Sequence, residues 1–478
     1  MSTEINVRAL ALETLTDIDR GMKNASEAIH TTLRNYQYLD KKDRSFYTRI
    51  CQGTLEYRIQ LDYFINQVSK TPVNKCKPYI RNLLRMSLYQ IRYMDRVANE
   101  AVCNEAVKLA KKKGFQNLSG FVNGVLRNLI RNQEALKLPD KPDAGVKSVI
   151  SEDDYNKRVS EYYSVNYSMP EWIVNRFLKW YSEDIVEKML QAFLEEAPLS
   201  VRVNLQKTTV AGVKEELERN GIQVQRGKYC ENILKLSEYN YLNRIAAFRD
   251  GRITVQDESS CLQGYLVPVD GVEVILDICA APGGKTMHAA ERLLQVSEKG
   301  VVISRDLSEG KVERIRENVE RMEYTNIRTE IWDALETDET LIGKADVIIA
   351  DVPCSGLGVI GRKQDIKYRL EEKQLEELKK LQRDILKAAG RYLKADGTMI
   401  YSTCTVNPEE NEAQLAWMKQ ELNLELMPIR ELLPPGLVKE VENQPGTDLD
   451  AGYCTLIPGL QSCDGFFFAK LRKAEGIY

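Results

Sequence analysis

The sequence predicts an α/β protein whose C-terminal body is a doubly wound parallel sheet, preceded by an all-helical front and a small α/β domain. Three observations predict it. After Val272 the short apolar runs VEVILDI, GVVISRD, NIRTEIWD, ADVIIAD and GTMIYSTC alternate with helix-like segments such as SEGKVERIRENVERM and LEELKKLQRDILKAAGRYL. Apolar strands separated by helices belong to a parallel sheet covered on both faces. Residues 4–131 show apolar spacing of three and four and no convincing strand alternation. Between these regions SVRVNL, TTVAGVKEELERNG, IQVQRG and GRITVQD read as strand, helix and strands.

In chain order, residues 1–135 form the helical front. Lys111, Lys112 and Lys113 followed by Gly114 mark a helix C-terminus, with cations at the negative end of the dipole and glycine just beyond. GFVNGVLRNLIRN is the last amphipathic helix, carrying Arg127 and Arg131. Residues 136–168, with Pro139, Pro142 and the acidic Glu152-Asp153-Asp154 cluster, read as a linker with some weak helix. The small α/β domain spans 169–260 and opens on a helix near Pro170. Arg202 and Asn204 lie on its SVRVNL strand, either as exposed strand polars or as RNA contacts. Residues 261–478 are the doubly wound body.

A length of 478 residues suggests two to four packed units. The chain is 43% hydrophobic and 29% charged and offers no uninterrupted apolar run of about 18 residues, so a cytoplasmic protein without a membrane span is expected. The ten cysteines include no CxxC pair, and only His30 and His288 could assist them, so neither a metal site nor a disulfide framework is expected. Net charge is unevenly spread: residues 1–131 hold 22 Lys and Arg against 12 Asp and Glu, a balance of +10, while the rest carries −13. A basic helical region on an acidic body suggests an electrostatic handle for a polyanion.

The first strand of the body leads into CAAPGGKT, Cys279 to Thr286. Small residues between a first strand and a helix let the backbone approach a ligand. A phosphate-binding P-loop would need glycine where Cys279 stands, and the GxGxxG dinucleotide fingerprint is absent. An acid at the tip of the second strand would hold ribose hydroxyls, and Asp306 lies 22 residues beyond Gly284; Asp333 ends the third strand run on the adenine side. An adenosine without phosphates is expected, and S-adenosylmethionine fits best.

Two cysteines stand at strand exits, Cys354 after ADVIIADVP and Cys404 at the end of GTMIYSTC. In a doubly wound sheet both would face the crevice that holds the ligand. A thiolate there could add to carbon 6 of a pyrimidine, making carbon 5 nucleophilic enough to take a methyl group; a second group must then remove the carbon 5 proton. Two thiols and an acid match those tasks.

DICAAPGGKT, DVPCSG with GVIGRKQDIK behind it, and YSTCTVNPEENE resemble the motifs of the RNA (cytosine-5)-methyltransferases. NEAVKLAKK and GFVNGVLRN resemble the NusB-like domain of the RsmB (Sun/Fmu) branch, which acts on 16S ribosomal RNA, and the likeness covers essentially the whole chain. Two departures stand out: Gln364 precedes Asp365 where the family usually has proline, and LIPGLQSCDG replaces a stretch that commonly contains histidine. The resemblance implies a Rossmann-like class I methyltransferase core and a NusB-like front. It implies that Cys404 attacks carbon 6, that Cys354 removes the carbon 5 proton, that Asp351 holds the cytosine edge, and that Lys285 supports the base or the motif's backbone. It also implies that Cys279, Ala280, Ala281, Pro282, Gly283, Gly284, Lys285, Asp306, Asp333 and Asp351 line the S-adenosylmethionine site. Arg127, Arg202 and Asn204 are the expected RNA contacts, and 16S ribosomal RNA is the expected partner. The same chemistry on transfer RNA and a non-catalytic NusB-type factor are the alternatives.

Overall fold

The computed structural model describes residues 5–143, 145 and 150–474. They form two compact units, one reaching Leu194 and including Arg362–Arg369, the other formed by Glu195–Gly361 and the chain from Leu370 onward.

The first unit is helical: α1 (Val7–Asp19), α2 (Ala25–Asn35), α3 (Lys41–Glu56), α4 (Arg58–Val68), α5 (Pro78–Tyr93), α6 (Asn99–Lys112), α7 (Ser119–Arg131), α8 (Glu152–Asn166), α9 (Glu171–Trp180) and α10 (Glu183–Ala192). Short polar side chains start several of them. Asn6, Asn24 and Asp40 accept from backbone N–H groups of the first turns of α1, α2 and α3, each contact worth about 1 kcal/mol. Leu12, Leu15, Tyr47, Ile50, Phe64 and Leu83 form the centre of its core.

The segment read as a linker contains α8. Ser151 caps this helix, so Glu152, Asp153 and Asp154 occupy its first turn, where negative charge meets the positive end of the helix dipole. Val159, Tyr163 and Val165 bury its inner face. The helices α9 and α10 lie in the same compact unit as the helical front.

The short insert is anchored by two buried groups. The Asp365 carboxylate accepts from the Ala25 N–H at 3.0 Å, and the fully buried Lys367 amine donates to the carbonyls of Glu56 (2.9 Å) and Ser168 (2.6 Å). Burial pushes the Lys367 ammonium down to about 7. The departure at Gln364 and Asp365 is therefore part of the helical unit.

In the second unit β1 (Leu199–Val203), β2 (Gln223–Arg226), β3 (Ile233–Ser237) and β4 (Ile253–Val255) form a sheet of order β2-β3-β1-β4, with α11 (Val210–Arg219) following β1. All its pairings are antiparallel, because β3 lies between β1 and β2. The helices α12 (Ala246–Arg249) and α13 (Glu258–Gly264) lead out of it.

The main sheet contains β5 (Val274–Asp277), β6 (Val301–Asp306), β7 (Ile327–Ile331), β8 (Ala345–Asp351), β9 (Leu393–Thr403), β10 (Leu424–Leu426), β11 (Tyr453–Leu456) and β12 (Phe466–Lys473). Its order is β10-β12-β9-β8-β5-β6-β7, with β11 on β12. The intervening helices are α14 (Gly284–Leu294), α15 (Glu309–Met322), α16 (Ile366–Arg369, in the helical unit), α17 (Gln374–Tyr392), α18 (Glu412–Glu421) and α19 (Pro435–Val441). Strands β5 to β9 pair in parallel, as expected, and the Rossmann-like order reverses between β5 and β8. A ligand crevice opens beyond the carboxyl ends of strands at such a reversal. The antiparallel strand β12 enters between β9 and β10 with Phe467, Phe468, Ala469 and Leu471 all buried. Both of its faces meet core, so it lacks the alternation that marks a half-buried strand.

A candidate active site at the strand ends

The strand β8 ends at Asp351, and Pro353 cannot continue a ladder because it lacks an N–H. Gly356 turns the loop with φ of 70°. Gly358 then packs so closely that a Cβ would come within 2.3 Å of the Gly465 carbonyl oxygen. Its N–H donates to the Cys404 carbonyl at 3.1 Å, and its own carbonyl accepts from Gly465. These contacts bring the two cysteine loops together. The Cys354 and Cys404 sulfurs lie 3.3 Å apart, both half-buried, so the expected convergence of the two thiols is present.

Beside them, one Asp351 oxygen accepts from Lys285 Nζ at 2.8 Å and the other from the Ser402 hydroxyl at 2.8 Å. Burial would lower the Lys285 ammonium, but the Asp351 carboxylate more than offsets it, so the pKa lies above the ordinary lysine value. Negative charge on Cys404 acts in the same direction. Lys285 Nζ also sits 5.1 Å over the Phe466 ring. Cys354 keeps its proton more tightly than an ordinary thiol, first because of neighbouring Cys404, then burial, then the Glu410 carboxylate.

Gly283 takes φ of 99° and starts α14, whose first turn has no side-chain cap. Its open N–H groups suit an anionic ligand end. Asp306 Oδ2 accepts from the Ala281 N–H, and its Oδ1 from the Leu307 N–H and Lys311 Nζ. Those three donors leave one lone pair of the four free for a ribose hydroxyl. The buried Asp277 carboxyl accepts from Thr286 through one oxygen and has no partner for the other. Burial raises it to about 7. This orphaned oxygen, the uncapped helix start and the strand-end acids fit an adenosine ligand with a charged amino-acid end. Cys279 is half-buried, its thiol pushed up by burial, and Asp333 is half-buried at the turn after β7.

Sequence reasoning missed several side chains. Ser402 orients Asp351, and Glu410, Ser355 and Thr405 tie the thiol loops together. Each lies inside or beside a motif, but only the folded contacts reveal the partner. Leu307, 59% exposed directly after Asp306, offers an apolar face at the tip of β6.

Two expected RNA contacts are corrected. Arg202 is fully buried, donating to Gln256 Oε1 at 2.7 Å and pairing with Glu291, while the Asn204 side chain donates to the Gly251 carbonyl. Their strand faces the packed interior of the unit, so neither side chain can reach a phosphate. Arg202→Met should destabilise the protein by about 3–5 kcal/mol, because it strands the buried Glu291 charge. Thermal or urea unfolding would measure this, and RNA affinity of the folded fraction should be unchanged. Arg127 is exposed on α7. His288 is buried against Gly264 and the Tyr265 ring, and burial with Arg202 and Arg292 nearby keeps it neutral. Among the described residues no cluster could hold a metal ion, and no helix is long and apolar enough to cross a membrane.

Residues 264–472 match the family described as 16S rRNA methyltransferase RsmB/F, residues 5–131 the NusB family, and residues 169–241 the ferredoxin-like domain of RsmF/B-like methyltransferases. The probable ribosomal RNA small subunit methyltransferase B of Bacillus subtilis is 32% identical over 98% of this chain and 99% of its own length. The ribosomal RNA small subunit methyltransferase B of Vibrio cholerae is 30% identical over 98% of each. Among solved structures, PH0851 superposes with a TM-score of 0.78 at 24% identity, covering 99% of this chain and all of its own. NSun6 from Pyrococcus horikoshii with SFG superposes with a TM-score of 0.55 at 22% identity, covering 64% of this chain and 99% of its own.

Proposed function

Because the chain belongs to the ribosomal RNA small subunit methyltransferase B family, we propose that it methylates carbon 5 of a cytosine in 16S ribosomal RNA through a covalent adduct at carbon 6. The observation that carries this reading is the thiol pair 3.3 Å apart beside the Lys285–Asp351 ion pair. Cys404 is the nucleophile and Cys354 the base. Asp351, already fixed by Lys285 and Ser402, holds the polar edge of the base. S-adenosylmethionine, held by Cys279–Lys285, Asp306, Asp333 and Asp351, supplies the methyl group that carbon 5 takes.

The electrostatics suggest why the thiols act in sequence. While Cys404 is negative, a second negative sulfur beside it is disfavoured, so Cys354 stays protonated. Bonding Cys404 to carbon 6 converts it to a neutral thioether and removes that repulsion. Cys354 can then lose its proton to solvent and accept the carbon 5 proton, the electrons of that C–H bond restoring the ring double bond as the Cys404–carbon 6 bond breaks. A base stacked in a helix cannot present both carbons to two sulfurs, so the target must be unstacked.

The helical front (residues 1–135) and the small α/β domain (169–260) hold the surrounding RNA in this reading, in the cytoplasm, where ribosomal RNA is the partner. The basic balance of the front and the exposure of Arg127 support it. Arg127→Gln should weaken RNA binding and reduce the slope of log affinity against log salt by about 1. An unchanged slope in a salt titration would remove Arg127 from the RNA surface. Methyl transfer from labelled S-adenosylmethionine to unmodified 16S RNA, followed by identification of the modified nucleoside, tests the reaction itself. 5-Methylcytidine is expected; methylation at another atom, or none, would refute it.

A further inference from the structure

We infer that Glu410 is the positioning residue that fixes the Cys354 sulfur against Cys404, and that it governs release of the methylated product rather than formation of the adduct. The inference rests on the two-thiol reading above.

The two sulfurs are held in different ways. Cys404 directly follows β9, whose register is fixed on both sides by β8 and β12, and the Thr403 hydroxyl donates to Asn411 Oδ1 at 2.7 Å. Cys354 lies three residues beyond the end of β8, in a loop with no ladder of its own. Its position must come from elsewhere.

Glu410 supplies it. The side chain is fully buried on the loop that follows Cys404. Its Oε2 accepts from the Ser355 N–H at 2.9 Å and from Gln382 Nε2 at 2.8 Å. Its Oε1 accepts from the Ser355 hydroxyl and from Asn407 Nδ2 at 3.0 Å. Gln382 donates as well to the Pro353 carbonyl at 3.0 Å, so one flank of Cys354 is tied to Glu410 directly and the other through Gln382. One step behind the sulfurs, the Ser355 and Thr405 hydroxyls meet at 2.8 Å, repeating the thiol contact across the same two loops.

A carboxylate suits this task where an amide does not. It accepts on both oxygens, whereas glutamine would turn an NH2 group toward one pair of donors while keeping the volume. The partners are all neutral donors, and burial accordingly raises the Glu410 carboxyl above its ordinary value. A group used only to cap the turn would not need to reach across to Ser355, next to Cys354.

The test uses the full-length enzyme, an unmodified 16S RNA transcript and labelled S-adenosylmethionine, with denaturing electrophoresis to read the protein–RNA adduct. Glu410→Gln should bind S-adenosylmethionine as before and still form the adduct. Its turnover should fall by roughly 10- to 100-fold, the cost of misplacing a reacting group by a fraction of an ångström to an ångström. Adduct should accumulate accordingly. In a Cys354→Ala background the same substitution should add nothing to adduct lifetime, since both act on one step.

Unchanged turnover would overturn the proposal. So would loss of adduct in step with turnover, which would make Glu410 a support of both loops alike, or additive effects in the double variant. If Glu410→Gln no longer binds S-adenosylmethionine, Ser355→Ala decides: it removes one of the donors and must show the same retention of adduct. Its absence overturns the proposal. Failure of the underlying reading is separately visible, because Cys354→Ala alone would then trap no adduct.

Discussion

Cys404→Ala is expected to reduce methyl transfer by a factor on the order of 10⁴ or more, since the variant lacks the sulfur that bonds to carbon 6. Affinity for S-adenosylmethionine should hold, because the uncapped start of α14 and the acids of β5 to β8 do not depend on that sulfur. Folding should hold too. The Cys404 thiol is half-buried, and its backbone carbonyl, not its side chain, accepts from Gly358. Single-turnover transfer to RNA and equilibrium binding of S-adenosylmethionine separate these effects. Turnover within tenfold of wild type would place the attacking group elsewhere.

Cys354→Ala is expected to behave oppositely. Addition and methyl transfer should proceed, because Lys285 and Asp351 still flank Cys404. The carbon 5 proton then has no acceptor within reach, and the thioether cannot leave. Protein should remain attached to RNA through denaturing electrophoresis, with multiple turnover lost by about 10²- to 10⁴-fold, the range for removing a general base. The adjacent carboxylate of Asp351 is not a substitute in this reading, since its remaining lone pairs hold the edge of the base. Free, methylated RNA released at the wild-type rate would contradict the role given to Cys354.

Much of this site was legible in the sequence because its chemistry is carried by strand exits. Proline and glycine around Cys354 show that the backbone opens there, and the parallel-sheet pattern places both thiols at one end of the sheet. Their 3.3 Å contact is a stronger convergence than spacing alone implies. Arg202 was not legible. A single arginine on an alternating strand carries no sign of which face is covered, and only the folded packing of that sheet reveals Glu291 opposite it. β12 escaped because burial on both faces erases alternation, and the acidic cluster that opens α8 read as linker because a charged first turn looks like a solvated run until its cap is seen. The role of Glu410 was invisible for a related reason: a glutamate in a polar motif is ordinarily a surface group, and here it is fully buried.

Covalent capture on an RNA bearing 5-fluorocytidine tests the central claim most directly. Fluorine replaces the proton that Cys354 must take, so the adduct should stall after methyl transfer and survive protease digestion. Mass spectrometry of the linked peptide should find the RNA on Cys404, with Cys354 in the same complex still a free thiol. Linkage through Cys354, or no linkage at all in the presence of S-adenosylmethionine, would contradict the account.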